Sequence, residues 1–572
     1  MHDLVIRGGR LVDGTGAPAR VADVAIDGDR ISAVGQALPP GRREVDAAGR
    51  LVTPGWVDIH THYDGQALWD PLLLTSSLHG VTTVVFGNCG VGFAPVRASD
   101  RKDLISLMEG VEEIPELVLE AGLKWNWETF PQYLDALDAV PRAIDIGAQV
   151  AHHPLRMYVM GARAVRRERA TPADIALMRK LTAEAMAAGA LGFTTSRTQV
   201  HKNANGALAP AYDASVEELF GIAQALADAG RGAFGVNSDF NDEEGEIGWL
   251  SELSRKTGRP AWFLLIDHPD HPARWRHLME LVEQSNRSGA KVFGQIAGRP
   301  VGLIMGAGTA VNPFSIRPAY SALAALSPDE CLAAMRRPEV RASLLADQPS
   351  EEILARLSPF RRAIATRWDR IFLMDAPPDY EPPPEASVES VARKEGRSPD
   401  EVAYDTMTRE GPDRFLFFPL ANYNGGNHEA VLAMLQQEGT VLGLGDGGAH
   451  CSSIMDAGIA SYMLTHWTRD RSRGARLPLE LIVKRLTSET ADFMGLGDRG
   501  RIAPGLRADI NVIDYANLHL RAPEVRNDMP ANGRRLMQRV DGYDMTIVAG
   551  VPVFEHGEHT GALPGRLIRG QS

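Results

Sequence analysis

Thr53-Pro54-Gly55-Trp56-Val57-Asp58-Ile59-His60-Thr61-His62 decides how the rest of the chain reads. A Pro-Gly turn launches a short apolar run that ends in two histidines one residue apart. Alternate side chains of a β-strand share a face, so His60 and His62 can reach one ion. Neutral imidazole is a common ligand for zinc and similar metals, and a metal at a strand end can activate water. Two surface histidines falling at this spacing by chance are the competing explanation, and the sequence on either side has to separate the two.

Downstream, strand-like apolar runs alternate with helical patterns, as a parallel α/β barrel requires. The runs are 56–60, 82–87, 145–150, 192–195, 233–238, 261–266, 291–295 and 441–445. They predict an α/β fold, a (β/α)8 TIM-like barrel. Helices are expected over 172–188 and 216–229, after the capping residues Thr171 and Ser215. Short alternating strands fill the opening of the chain (4–6, 10–12, 21–26, 30–34 and 44–46) and return at 508–514 and 545–553. These predict a small composite β-sandwich domain from residues 1–53 plus 505–560, with the barrel over 54–504. The stretch from about 299 to 419 is too long for a barrel loop and has helical patterns at 328–336 and 350–357. It reads as an insertion over the barrel mouth, with 377–384 as a proline-stiffened connector.

A net charge of -13 argues against a nucleic-acid partner, because attraction to polyphosphate needs a basic surface. The opening Met1-His2-Asp3-Leu4-Val5-Ile6-Arg7 lacks a basic leader before an apolar core, and the charge-free stretch 71–96 is broken by glycines and polar residues. No membrane span is expected. Cys89, Cys331 and Cys451 form no disulfide framework, which fits a cytoplasmic protein. The partner expected is a small-molecule substrate, with homo-oligomer formation left open.

Five segments in order carry a family resemblance: Leu4-Val5-Ile6-Arg7-Gly8-Gly9-Arg10-Leu11-Val12-Asp13-Gly14-Thr15-Gly16; Pro54 to His62; Gly80-Val81-Thr82-Thr83-Val84-Val85-Phe86-Gly87-Asn88-Cys89-Gly90; Gly189-Ala190-Leu191-Gly192-Phe193; and Gly505-Leu506-Arg507-Ala508-Asp509-Ile510. The chain resembles the amidohydrolase superfamily, and within it the N-acyl-D-amino-acid deacylase (D-aminoacylase) group. The resemblance implies a barrel whose C-terminal strand ends hold one or two divalent metal ions, Zn2+ first among them.

It implies His60 and His62 as first-strand ligands, Cys89 as a ligand able to bridge two ions, and His268 as the sixth-strand ligand. Asp446, in Gly445-Asp446-Gly447, takes the place of the eighth-strand general base and a further ligand. Asp58 is expected to fix the strand end or orient a histidine. The fifth strand departs from the family: where a histidine is usual, Asn237-Ser238-Asp239-Phe240-Asn241 offers Asp239. His152 and His153 resemble the third-strand segment that contacts substrate or its oxyanion, and His450 lies close beyond Asp446. Basic residues that hold a substrate carboxylate in the family are replaced here by Asn241 and Asp270, so either Arg299, Arg197 or Lys202 takes that role or the substrate lacks a carboxylate.

The expected activity is hydrolysis of a linear amide C–N bond, in an N-acyl-(D-)amino acid or related N-acyl amine. A cyclic-amide hydrolase of the dihydropyrimidinase or hydantoinase kind is the alternative, but no lysine stands at the fourth strand end, 192–196, to be carbamylated. A catalytically silent amidohydrolase-fold assembly protein is the other, and it has no chemical need for His60, His62 and Asp446.

Overall fold

The computed structural model describes residues 1–357, 359–412 and 414–570. Eight parallel strands form the barrel: Trp56–Asp58, Val81–Phe86, Asp145–Ala148 with Val150–Ala151, Gly192–Arg197, Ala233–Ser238, Ala261–Leu264, Val292–Ile296 and Thr440–Leu442. Their side chains are almost continuously buried, because a parallel barrel strand meets core on one face and helices on the other. The third strand is interrupted at Gln149, pairing with the second strand before it and the fourth after it.

The first strand is shorter than the apolar run, so His60 and His62 lie in the segment just past its end. Helices Pro172–Ala188 and Val216–Ala229 form, with Thr171 Oγ1 accepting from Asp174 N and Ser215 Oγ from Glu218 N. Each hydroxyl satisfies an amide the first helical turn leaves unpaired.

Strands from both ends of the chain join in one nine-stranded sheet. Leu51–Pro54 pairs with Ile510–Ile513, so the link into the barrel is itself a sheet strand. The two short strands expected at 4–6 and 10–12 are one bulged strand, His2–Leu11, with its register shift between Ile6 and Gly9. Beneath the barrel, Asp145 receives Arg499 Nη1 at 2.7 Å and Arg507 Nη2 at 2.9 Å, which ties the third strand's start to the segment leading into that sheet. Residues 561–570 run back along the base, where Ile146 N donates to Arg566 O at 3.0 Å and Ile568 N to Ile146 O at 2.7 Å.

The insertion holds more than helices. Val301–Met305, Phe372–Met374 and Phe415–Ala421 form an antiparallel sheet, with a core of their own that includes Leu303, Met305, Leu416 and Phe418. It leans on the C-terminal barrel loops through Ile304 N to Ser453 O at 2.8 Å and Asn422 N to Asp267 O at 2.9 Å. Long insertions at this end of a barrel shape the site. Among the described residues, no helix is long and apolar enough to cross a membrane.

Candidate active site and metal centre

The first and eighth strands meet beyond their C-terminal ends, and that junction assembles the site. Asp446 N donates to His60 O at 3.0 Å and His62 N to Gly447 O at 2.8 Å. Gly448, at φ +93°, permits this approach, since a Cβ there would come within 2.7 Å of His62 O. Asp446 therefore faces both histidines: its Oδ1 lies 3.4 Å from His60 Nε2 and 3.6 Å from His62 Nε2. Cys89, past the second strand, brings Sγ to 3.6 Å from His60 Nε2. His60, His62 and Cys89 are buried with their ligand atoms within 4.8 Å of one another.

These separations fit one metal ion. Donors about 2.0–2.3 Å from a tetrahedral ion lie roughly 3.3–3.8 Å apart. The His60 tautomer agrees. His60 Nδ1 is 2.5 Å from Gln295 Oε1, which can only accept, so Nδ1 carries the proton and Nε2 turns a lone pair inward. Glu112 Oε1 lies 3.3 Å from His62 Nδ1, near enough for its charge to hold that ring well above the usual imidazole range against burial, though no hydrogen bond forms. Metal-binding imidazoles generally carry such a partner on the far nitrogen. Asp446 Oδ1 is buried with no hydrogen-bond partner, a costly arrangement unless a cation completes it.

Protonation states follow from burial. Desolvation drives His60 down to about 4, so its imidazole is neutral. It also pushes the Cys89 thiol up to about 11, so a thiolate there needs a cation beside it. Burial alone would raise Asp446, but the facing His62 and His60 rings outweigh it and hold the carboxyl at about 2. Cys89 and Asp446 both adopt left-handed backbone, at φ 54° and 45°. Strain of roughly 1–3 kcal/mol per such residue is characteristic of functional positions.

Two expected ligands lie elsewhere. Asp239 caps the loop after the fourth strand, accepting from Thr198 Oγ1 at 2.5 Å and Gln199 N at 3.0 Å. Its fixed bonds to that loop keep it out of the donor set. His268 is half-exposed, its Nδ1 accepting from Asp270 N at 3.1 Å and its ring 5.6 Å from that of His271. Asp58 does not touch a ring; its Oδ1 accepts from His60 N at 3.1 Å.

The histidine pair on the third strand divides. His152 is consumed by Thr195 Oγ1 at 2.7 Å and Glu218 Oε1 at 3.0 Å. His153 Nδ1 accepts from Ala211 N at 3.1 Å, which puts the proton on a buried Nε2 that has no partner. Arg197 is paired with Glu246 at 2.9 Å. Arg299 is fully buried, with Nη2 on Asp456 at 2.7 Å and its guanidinium 3.9 Å from the Tyr380 ring centre, while Nε and Nη1 have no partner. His450 sits between Glu112 at 3.8 Å and Glu113 at 3.6 Å. Burial opposes its charge, but those carboxylates prevail and hold it up at about 9.

Sequence reasoning missed Gln295, Glu112 and His201. Gln295 is one residue before the end of an assigned strand and carried no other signal. Glu112 ends helix Arg101–Glu112, which looks like any charged helix until it is packed against the rim. His201 bonds Ser196 Oγ at 2.6 Å through Nδ1 and lies 3.4 Å from Asn237 Nδ2 through Nε2. His201, from the loop after the fourth strand, thus packs its ring against the end of the fifth.

Comparison with known proteins agrees with this architecture. A profile of the Amidohydrolase family matches residues 43–554. D-aminoacylase of Alcaligenes xylosoxydans xylosoxydans is 28% identical across 99% of this chain and 97% of its own. N-acyl-D-glutamate deacylase of the same organism is 27% identical across 99% of this chain and 96% of its own. A solved D-aminoacylase structure, described for its binuclear metal centre, superposes with a TM-score of 0.65 at 25% identity and covers 100% of both chains. With the barrel, the rim histidines and a family match running from the terminal sheet through the last barrel element, the chain belongs to the amidohydrolase family.

Proposed function

We propose that the chain hydrolyses the amide bond of an N-acyl amino acid, of the N-acyl-D class for which its relatives are named, with the help of a divalent metal ion. The observation that carries this reading is the convergence of His60 Nε2, His62 Nε2, Cys89 Sγ and the unpartnered Asp446 Oδ1 at one barrel rim. Two imidazoles and a thiolate suit zinc as three protein ligands that leave one position open, with the Asp446 carboxylate beside it. With Asp239 and His268 engaged elsewhere, the side chains at the rim support one ion rather than two. When bound, a divalent ion lowers the pKa of a coordinated water to about 7.

The remaining work falls to the chain's own groups. Asp446, ionised at neutral pH, accepts the proton of the attacking water and passes it to the departing nitrogen, which cannot leave as an amide anion. His153 presents its Nε2–H to the carbonyl oxygen as negative charge develops there. Burial holds His153 far below the usual imidazole range, so it acts as a neutral donor. Arg299, with two buried donors unmatched, is the group we assign to the substrate carboxylate.

A hydrolysis screen of paired N-acyl-D- and N-acyl-L-amino acids, neutral N-acyl amines and cyclic amides in added zinc tests the reading. Turnover of the D-series is expected. Activity on neutral or cyclic amides alone would overturn the substrate class, and a metal-free inert protein would overturn the reading altogether.

A further inference from the structure

A second group of converging ligand atoms lies away from the rim, where the insertion's proline-rich connector meets the helix after the eighth strand. Glu381 comes from the connector, His428 from the residue before helix Glu429–Leu435, and His466 from the segment Met463–Asp470. Their ligand atoms lie within 4.8 Å of one another. Glu381 Oε2 is 3.0 Å from His466 Nε2 and 3.7 Å from His428 Nδ1.

Three features go beyond a chance cluster. His428 Nε2 donates to Tyr380 O at 3.0 Å, which fixes the tautomer and leaves Nδ1 as an acceptor that faces Glu381 and takes the Tyr462 hydroxyl at 3.3 Å. His466 Nε2 is buried and, although close to the carboxylate, is not aligned for a hydrogen bond. The segment carrying it is a π-helix, a rare geometry found mostly at functional positions. Its wide turn stacks His466 on Tyr462, with ring centres 4.6 Å apart and planes at 13°.

Beside these atoms opens a cavity of about 240 Å³, lined by Glu381, His466, Tyr462, Asp379, Arg473 and His519. The neighbouring cation is already matched. Arg471 reaches Glu381 through Nε at 3.1 Å and Nη2 at 3.2 Å, and its charge is shared with Glu429 at 2.8 Å. Arg471 Nε takes Glu381 Oε2 itself and Arg473 adds a second guanidinium on Glu381 O and Pro382 O, so a further cation would share this carboxylate with Arg471.

We infer that Glu381 Oε2, His428 Nδ1 and His466 Nε2 bind a second transition-metal ion of the zinc class, with an open coordination position turned to this cavity. Three protein ligands and one free position are the arrangement of sites that exchange a small ligand. The site is independent of the rim, and its ligands come from the insertion and the barrel's outer helices. The ion would therefore pin the connector to the barrel.

Metal content of the full chain, purified without chelator and equilibrated with zinc chloride, tests this. Two equivalents are expected for the unaltered protein and one for His466→Ala, His466→Gln and Glu381→Gln. A His60→Ala/His62→Ala variant should lose the rim ion and keep the other, which distinguishes failure at one site from failure at the other. Anomalous scattering at the zinc edge from crystals of the unaltered chain should show density between Glu381, His428 and His466, and needs no variant to fold. Unchanged stoichiometry in the His466 and Glu381 variants, or no anomalous density there, would overturn the proposal in favour of a plain ion-pair network.

Discussion

Gln295 Oε1 lies 2.5 Å from His60 Nδ1, so the seventh strand sets the tautomer of a ligand carried by the first. Replacing Gln295 with Leu keeps the volume but removes the acceptor, freeing the ring to rotate or change tautomer. Zinc affinity at the rim should fall about 10- to 100-fold, measured by competition with a chromophoric chelator. An unchanged affinity would show that burial alone orients His60.

Asp446→Asn separates proton transfer from metal retention. The amide keeps a similar shape beside the open position but accepts no proton, so kcat should drop by about 10²- to 10⁴-fold while His60, His62 and Cys89 retain the rim ion. His153→Phe should lower kcat by about 10²- to 10³-fold through loss of the carbonyl donor. His152, bonded on both nitrogens, offers the contrast: its replacement should lower stability rather than kcat. Equal kinetic losses at both histidines would count against the division of roles.

Arg299→Met retains the aliphatic stem over Tyr380 and removes the charge. A hydrogen bond to a charged group contributes about 1.5–3 kcal/mol, so KM for an N-acyl amino acid should rise about 10- to 100-fold. KM for a neutral N-acyl amine should not move. If neither changes, Arg299 serves only to bind Asp456 and the insertion.

Glu218 gives a pH dependence whose direction is set by its partners. Burial would raise its carboxyl, but the hydrogen bond and charge of His152 and the charge of Arg156 overcome this and hold it below the ordinary glutamate range. A carboxylate with a depressed folded pKa contributes stability above its unfolded value, near 4.3, and loses it as pH falls through the folded one. Glu218→Gln should therefore cost roughly 3 kcal/mol at neutral pH and flatten the acid limb of the stability curve. Urea unfolding between pH 3 and 7 reads both effects; parallel curves for the two proteins would refute it.

How far the chain could be read without its structure is clear from individual residues. The eight barrel strands stand out because strands buried on both faces must be continuously apolar. His60, His62, Cys89 and Asp446 were legible because each follows such a run at the end where barrels place their chemistry. The insertion's sheet was not, since Val301–Met305 and Phe415–Ala421 lie over a hundred residues apart and pair only through the fold.

Periodicity and strand-end position, both local properties, determined the barrel and one edge of its site. Tertiary packing decided everything that depends on two distant segments meeting. It engaged Asp239 and His268 with neighbouring loops and set Gln295 and Glu112 beside the histidine pair. It also occupied both ring nitrogens of His152 and left Nε2 of His153 without a partner, because Glu218 and Thr195 reach one ring and not the other. A side chain's partners are set by which surfaces the barrel closure brings together, and no run of neighbours along the chain contains that information.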